Sequence, residues 1–582
     1  MTYLTLCHTS FYKKHYKEAY PVNRFFNRRV ILLILKVLYF LYFLSDKRIM
    51  ITFFMAQNMH SKLIMQDISY ENSIVDNCNY LKKIFDGPKS LARLFRTNKN
   101  GYLYDTGTNK ILACDDAEYI LLEKLMSINV DQAIDSILSQ FNKEQIKDIS
   151  NKLINVIEKE NILLTKRASE FGLSAHQRGV EELINNSLGI LQLEITENCN
   201  LRCEYCVYNP SFHDKRNHGI RKMSLSVAQN AINYLLVHSK GKNKASITFY
   251  GGEPLLRYSF IKKCVNYSQR LFEQKDLHFS ITTNGTLLTK EMAEFFFSNK
   301  FHLTFSIDGP EDIHDDYRKD AKGQGSFRRA IAGLKNAIDV FGKYSQERIL
   351  LSLVYTPPWS EKKLNRIAEL WNEMPRLLAG IHVMISYPRP GTIPSNRFSE
   401  KNLLEDKNLF TWASEIYEKD YADKKTPHPI VKSVLEKRLA KLYQRPIYSE
   451  PVNKYHLNGC CIPGVRKIFV STNGDFHVCE RISHGAPRIG DAFSGINIDA
   501  IKKIYIEDYS KRSIDRCSTC WAVQQCGICY DQSFNNGRYD DNIKKIYCNY
   551  ERNTLEKTLI YYCSLLEKDQ DGLEYLGQMV FE

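Results

Sequence analysis

No segment of this 582-residue chain supplies the run of about 20 apolar residues that a membrane-crossing helix needs. The apolar candidate, Val30–Leu44 (VILLILKVLYFLYFL), is too short, is broken by Lys36, and lies between Arg28/Arg29 and Lys47/Arg48. No small-residue cleavage site follows it, so a cleaved signal peptide is not indicated. We read it as part of a basic extension, 1–79, ahead of a true start at Met50, Met55 or Met59; weak membrane contact through 30–44 is the alternative. Internal repeats and low-complexity tracts are also missing. With 43% apolar and 25% charged residues, the composition excludes disordered and fibrous classes. The length calls for several domains.

Strong charge of one sign is scarce outside the first residues. The net charge is +14, but residues 1–50 hold nine Lys/Arg against Glu18 and Asp46, which is half of the excess. The rest is mildly basic, so charge requires no nucleic-acid partner. Cysteine, by contrast, is abundant. Of 16 in all, three lie between Cys199 and Cys206 and nine between Cys460 and Cys563. Short fixed spacings suit metal ligation, whereas disulfide frameworks belong mainly to small secreted domains. The expectation is a cytoplasmic protein carrying iron or zinc.

Periodicity divides the remainder. Over 80–165, Gly101–Asp105 and Lys110–Ala113 flank a turn-rich Thr106–Asn109 and read as a hairpin. A helix capped by Asp115/Asp116 follows, with Ile120, Leu121, Leu125 and Met126 as its apolar stripe, then helices over 131–141 and 144–160. From 185 to 388, strands alternate with helices. Strand candidates are Gly189–Thr196, Ala245–Tyr250, His278–Thr283, Leu303–Ile307, Ile349–Tyr355 and Gly380–Tyr387. Such alternation argues for a parallel sheet, open or closed into a partial barrel, with chemistry at the strands' carboxyl ends. Residues 389–458 read as a helical connector, 459–565 as a metal-organised section short on helix, and 566–582 as a tail.

Cys199-Asn-Leu-Arg-Cys203-Glu-Tyr-Cys206 follows the first strand directly. Three thiolates can hold a four-iron cubane and leave one iron open to an exogenous ligand. The alternative is structural zinc, which lacks a fourth ligand here, since His213 and His218 are not at ligand spacing. At this point the sequence resembles the radical S-adenosylmethionine (SAM) superfamily. The resemblance implies a partial (β/α)6 barrel radical SAM core with a 4Fe–4S cluster, and reductive cleavage of SAM to a 5′-deoxyadenosyl radical that abstracts hydrogen from the substrate. It assigns Gly251-Gly252-Glu253-Pro254, after the second strand, to the methionyl amino group. It also assigns Tyr205, Thr283, Asn284, Ser306 and Asp308 to the SAM pocket, and Arg318 to the SAM carboxylate. The other reading of Arg318 is a surface salt bridge.

The C-terminal pattern is Cys460-Cys461-x12-Gly474-x4-Cys479, then Cys517-x2-Cys520-x5-Cys526-x2-Cys529, then Cys548. It resembles the SPASM (twitch-type) auxiliary-cluster domain, with two residues where the family has three before Cys529. The resemblance implies two further 4Fe–4S clusters. Cys461 or Cys460, Cys479 and Cys529 would hold the first; Cys517, Cys520, Cys526 and Cys548 would hold the second. Paired zinc ribbons are the alternative. Glu480 occupies the position of a general base in sulfatase-maturing relatives; otherwise it is a solvated surface residue. Cys7, Cys78, Cys114, Cys264 and Cys563 read as core or surface thiols.

SPASM-type relatives mainly modify peptides and proteins, and the 80–165 unit resembles the winged-helix-like α+β domain that binds leader peptides in many maturases. The expectation is therefore a peptide maturase forming thioether crosslinks, with a precursor peptide carrying a leader and a reductant such as flavodoxin or ferredoxin as partners. The rivals are a sulfatase-maturing-like formylglycine-generating enzyme and a zinc-stabilised, non-catalytic binding protein.

Overall fold

The computed structural model describes residues 75–172, 179–209, 218–388, 392, 409–422, 425–452, 454–457, 459–482 and 485–579. Val30–Leu44 and Cys7 lie outside them. These residues form two compact units, one comprising those up to Arg96 with Asn100–Lys166 and Ser449–Pro451, the other Thr97–Lys99 and the described residues of 167–448 and 452–582. No helix among the described residues is long and apolar enough to cross a membrane.

In the first unit, β1 (Ala92–Arg96), β2 (Gly101–Asp105) and β3 (Lys110–Cys114) form an antiparallel sheet in that order. The β2–β3 turn is fixed by Asp105. This buried carboxylate accepts from Thr108 N (2.8 Å) and Thr108 Oγ1 (2.7 Å), while Asn109 takes a left-handed φ of 59° that its short side chain tolerates. Helices α1 (Asp116–Leu125), α2 (Val130–Ile137) and α3 (Lys143–Glu160) follow. Asp115 and Glu118 close a capping box on α1 (2.8 and 2.9 Å). Leu103, Leu112, Leu121, Leu122 and Leu153 form the core. Only the hairpin was expected from sequence. β1 is an added strand whose ARLFR carries charge at both Arg93 and Arg96, so it gives no clean period-2 signal.

In the second unit, β5 (Ile190–Thr196), β6 (Lys244–Gly251), β7 (Asp276–Thr283), β8 (Phe301–Ser306), β9 (Ile349–Val354) and β10 (His382–Ser386) lie side by side in chain order, all parallel. This is the order that successive β–helix–β units generate. The connecting helices are α4 (Leu225–His238), α5 (Tyr258–Leu271), α6 (Lys290–Ser298), α7 (Phe327–Phe341) and α8 (Glu361–Glu373). Alternation along each strand separates two faces. On one, Leu191, Leu193, Ile195, Ile247, Phe249, Phe279, Ile281, Leu303, Phe305, Leu351 and Leu353 are buried, each stabilising by about 1.5–3 kcal/mol. On the other, Gln192, Thr248, Ser280 and His302 stand in one aligned row, with Thr248 and Ser280 hydroxyls 2.7 Å apart.

The sheet continues past β5. β12 (Lys467–Val470) pairs parallel to it, followed by antiparallel β13 (Asp475–His477), β14 (Gly490–Asp491) and β15 (Gly495–Ile496), giving ten strands. Apart from it, β4 (Glu170–Gly172) pairs with β11 (Lys454–His456). The expectation that 459–565 is short on helix is corrected: helical residues run without break from Ile498 to Cys517, ending in α9 (Tyr509–Cys517), and α10 spans Asp541–Lys568. Dense cysteines obscured the 3.6-residue period, because on these helices the inward positions are held by thiols and tyrosines as well as by aliphatic residues.

Candidate active site

The chain leaves β5 at Thr196 and turns back across the strand ends. Arg202 N donates to Lys319 O (2.7 Å) and Glu204 N to Tyr317 O (3.0 Å), while Leu201 forms a bridge with Asp320. The cysteine loop is thus pinned to the segment that carries Arg318. Within it, Cys206 N donates to Cys203 O (3.1 Å), closing a tight turn between the last two cysteines. Leu201 N donates to Cys199 Sγ (3.4 Å), Tyr208 N to Cys206 Sγ (3.5 Å) and Asn284 Nδ2 to Cys199 Sγ (3.9 Å). Such donors favour the thiolate. Burial nevertheless pushes the Cys199 thiol up to about 12 and raises Cys203. These thiols therefore need a metal's positive charge to ionise.

The GGEP loop packs directly on this one. Gly251 has φ +134°, and a Cβ there would run into Thr196 O; one on Gly252 would run into Asn198 O. Gly252 N donates to Thr196 O and Glu253 N to Asn198 O, both 2.8 Å. The close approach that two glycines permit is to the stem of the cysteine loop. Pro254 starts a short 3-10 turn, Pro254–Arg257. Glu253, 1% exposed, accepts from Leu255 N (3.0 Å), Thr283 Oγ1 (2.7 Å) and Asn284 N (2.8 Å), so its carboxylate ties the β6 loop to the β7 loop. Burial raises its pKa against the pull of those donors.

Asp308, just past β8, accepts from Tyr205 OH and from Val354 N (3.0 Å). Arg318 Nη1 donates to Tyr205 OH (2.6 Å) and lies 3.7 Å from Asp308 Oδ1. Arg318 is 7% exposed, so it is not a surface ion pair, and its buried Nε has no hydrogen-bond partner. Burial works against its charge, but Tyr205, Cys203 and Asp308 overturn this and hold it cationic. A buried, charged donor left open near the Cys203 thiol fits an anionic ligand such as a carboxylate. Ser306 is half-buried at the end of β8, opposite Ser352.

The C-terminal thiols fall into two neighbourhoods. Cys517, Cys520, Cys526 and Cys548 line one cavity, together with Lys544 and Tyr509. Cys460 is turned inward, its Sγ 3.8 Å from Ile528 O, and its thiol feels Cys529; Cys461 is exposed and also acts on Cys529. Arg481 faces Cys479 and Cys529 together. Among the described residues no three His, Cys, Asp or Glu side chains converge closely enough to hold a metal ion. Glu480 pairs with Lys467 at 3.0 Å; burial would raise its pKa, but the Lys467 charge and hydrogen bond hold it below the usual range. Cys114, Cys264 and Cys563 are buried and Cys78 half-buried.

Sequence reasoning missed Glu194, Tyr208, His314 and Lys544. Glu194 is buried on the polar face of β5, accepting from Tyr208 OH and from Thr472 N (3.1 Å), and so joins the cysteine loop to the β12–β13 turn. A carboxylate on the polar face of an alternating strand was the available signal. His314 places Nδ1 3.4 Å from Asp308 N and Nε2 3.0 Å from Ser326 Oγ.

Residues 193–370 match the profile of the radical SAM superfamily. They are a radical SAM domain. The superfamily implies a 4Fe–4S cluster and SAM, and the radical SAM domain here contains the three thiols and the open Arg318 Nε just described. Relatives include a cysteine-type anaerobic sulfatase-maturating enzyme of Clostridium novyi (31% identical over 174 residues, 29% of this chain and 44% of that protein). A serine-type counterpart in Bacteroides thetaiotaomicron is 36% identical over 137 residues (23% and 33%). The radical SAM cyclopropyl synthase TigE of Paramaledivibacter caminithermalis is 27% identical over 231 residues (38% and 48%). The chain thus spans a third to about half of the length of these curated relatives. Among solved structures, native anSMEcpe with bound AdoMet superposes with a TM-score of 0.48 (18% identity; 65% of this chain, 100% of that one). Streptococcus suis SuiB bound to precursor peptide SuiA superposes at 0.40 (15%; 78% and 99%).

Proposed function

We propose that this chain is a radical SAM enzyme that modifies a ribosomally made peptide, linking a cysteine sulfur to a carbon of the same peptide as a thioether. When bound, the 4Fe–4S cluster and SAM supply a 5′-deoxyadenosyl radical, which removes a hydrogen atom from the substrate. Cys199, Cys203 and Cys206 hold that cluster. Arg318 offers its free Nε to the SAM carboxylate, and Tyr205 and Asp308 fix the guanidinium in place. Glu253 orders Thr283 and Asn284 at the pocket wall and keeps the β6 loop, Gly251 to Pro254, against the cysteine loop. Ser306 completes the wall. Cys460 and Cys461 together with Cys479 and Cys529 hold one auxiliary 4Fe–4S cluster, and Cys517, Cys520, Cys526 and Cys548 the other.

The observation that carries the choice of a peptide substrate is an edge of the first unit's sheet, whose opposite edge is β1. β3 is hydrogen-bonded to β2 alone within its three-stranded sheet. An extended leader peptide can add there as a fourth strand. Partners are thus a precursor peptide with a leader and a flavodoxin- or ferredoxin-type reductant, working in the cytoplasm. The test is a search of the neighbouring genes for a short Cys-containing precursor, followed by its anaerobic incubation with SAM and reductant. Each thioether removes two hydrogens from the peptide mass. Amide exchange on adding the leader should slow at Lys110–Cys114; protection elsewhere, with none at this edge, would refute the recognition mode.

A second reading, a formylglycine-generating maturase, is favoured by the 31–36% identity to enzymes named as sulfatase-maturating. Glu480 would then serve as base. Its ion pair with Lys467 weakens it in that role. Conversion of a sulfatase peptide's cysteine to an aldehyde would establish this reading over the first.

A further inference from the structure

Two helices of the second unit bring a buried cation to a cavity lined by four thiols. On α9, Tyr509, Ser513 and Cys517 recur every four residues and share a face; on α10, Lys544 and Cys548 do the same. Lys544 is 2% exposed. Its Nζ donates to Ser513 Oγ and lies 4.3 Å from the centroid of the Tyr509 ring and 5.4 Å from that of Tyr539. The Ser513 hydroxyl is itself committed to Tyr509 O (2.6 Å). No carboxylate pairs with Lys544 among the described residues, whereas its neighbour Arg516 is paired with Asp541 (2.6 Å). Burying an ammonium without a counter-ion costs several kcal/mol, and a hydroxyl with two ring faces offsets only part of that. Lys544 shares a cavity with Cys517, Cys520, Cys526 and Cys548, where Arg516 and Arg552 are further cations and the one carboxylate of the lining, Glu551, accepts from Gly527 N (2.6 Å); the four thiolates would supply the negative partner.

We propose that Lys544 is the built-in counter-charge of the auxiliary cluster held by Cys517, Cys520, Cys526 and Cys548, and that it raises that cluster's reduction potential. The proposal rests on reading these four cysteines as iron–sulfur ligands. Four thiolates concentrate negative charge, and reduction adds one more. A fixed positive charge on the wall of the same cavity therefore stabilises the reduced form more than the oxidised one. Lys544 is a positioning charge, not a ligand.

The test uses the full-length C199A/C203A/C206A variant, which removes the SAM-binding cluster and leaves the auxiliary signals alone. It is reconstituted anaerobically with iron and sulfide and titrated with dithionite under electron paramagnetic resonance. Adding K544M should lower the reduced-to-oxidised ratio at fixed potential about tenfold, which is about 59 mV for a one-electron couple; K544R should restore it. Without iron, K544M should melt above its parent, because a lone buried charge has been replaced by an apolar chain. An unchanged midpoint with iron content intact overturns the proposal, and so does an iron-free K544M that melts lower. If the parent triple variant itself takes up no iron, the ligand reading fails instead, which distinguishes the two.

Discussion

The Asp308–Arg318 pair allows a quantitative test of how the proposed SAM pocket is held. Both groups are buried, at 1% and 7% exposure, and Arg318 Nη1 stands 3.7 Å from Asp308 Oδ1. At an effective dielectric constant of about 20, two unit charges at that separation attract by about 4.5 kcal/mol. Desolvation consumes most of this in the wild type, so the pair as a whole stabilises little. Removing one partner exposes the imbalance. R318M leaves the Asp308 carboxylate with Tyr205 OH and Val354 N alone, and D308N leaves a guanidinium whose remaining partner is Tyr205 OH. Each should cost about 3–5 kcal/mol. The double variant should cost less than the sum by about 2–3 kcal/mol, since neither charge is then stranded. Because Val354 N is bonded to Asp308, amide exchange of a peptide spanning Ile349–Val354 is the local readout, with thermal melting of the iron-free chain beside it. Additive effects would mean that the two charges do not feel each other, and the account of Arg318 as a charge fixed for a ligand's carboxylate would fall.

Further outcomes follow from the same geometry. Reconstituted wild type should hold about twelve irons, and C199A/C203A/C206A about eight, with loss of SAM cleavage; C517A/C520A should also lose about four, and counting iron against protein checks both. E253A strands two buried backbone N–H donors, on Leu255 and Asn284, and should destabilise by about 2–5 kcal/mol, whereas E253Q keeps an acceptor and should lose less. His314 is held neutral, its pKa pushed well below the usual value by burial and then by Arg318. The unfolded chain takes up a proton below about pH 6.5 and the folded chain does not, so stability is full above that pH and falls as the pH drops. The slope is at most about 1.4 kcal/mol per pH unit for one proton. H314N should flatten this part of the acid melting curve, and an unaltered profile would contradict the assignment. K467M should raise the pKa of Glu480, read by infrared titration of the carboxylate; no change would mean the 3.0 Å pair is absent in solution.

The parallel sheet was legible because its strands obey a simple rule. ILQLEIT, KASITFYG and DLHFSITT alternate apolar and polar residues and are spaced by helices with caps such as Ser224, Thr289 and Ser360, so strand ends were located to within two residues. β12 to β15 were not legible as part of that sheet. They are two to four residues long, and what makes Lys467–Val470 a neighbour of β5 is a pairing some 270 residues away in sequence, roughly the distance over which local pattern carries no information.

The site divides along the same line. Thiol spacing, the double glycine and the carboxylate beside it are local signals, since a loop that must double back on its own stem needs residues without a Cβ at fixed positions. What the spacing does not reveal is where charge is left unpaired. Arg318 and Lys544 look alike in sequence to the many solvated cations of this basic chain. They differ only in that folding brings each to buried acidic groups with too few partners: Tyr205 and Asp308 for one, the thiols of α9 and α10 for the other. A buried cation whose partners do not account for its burial implies a missing anion. That inference leads from Arg318 to a carboxylate ligand and from Lys544 to a reduced cluster, by the same electrostatic argument applied at two places.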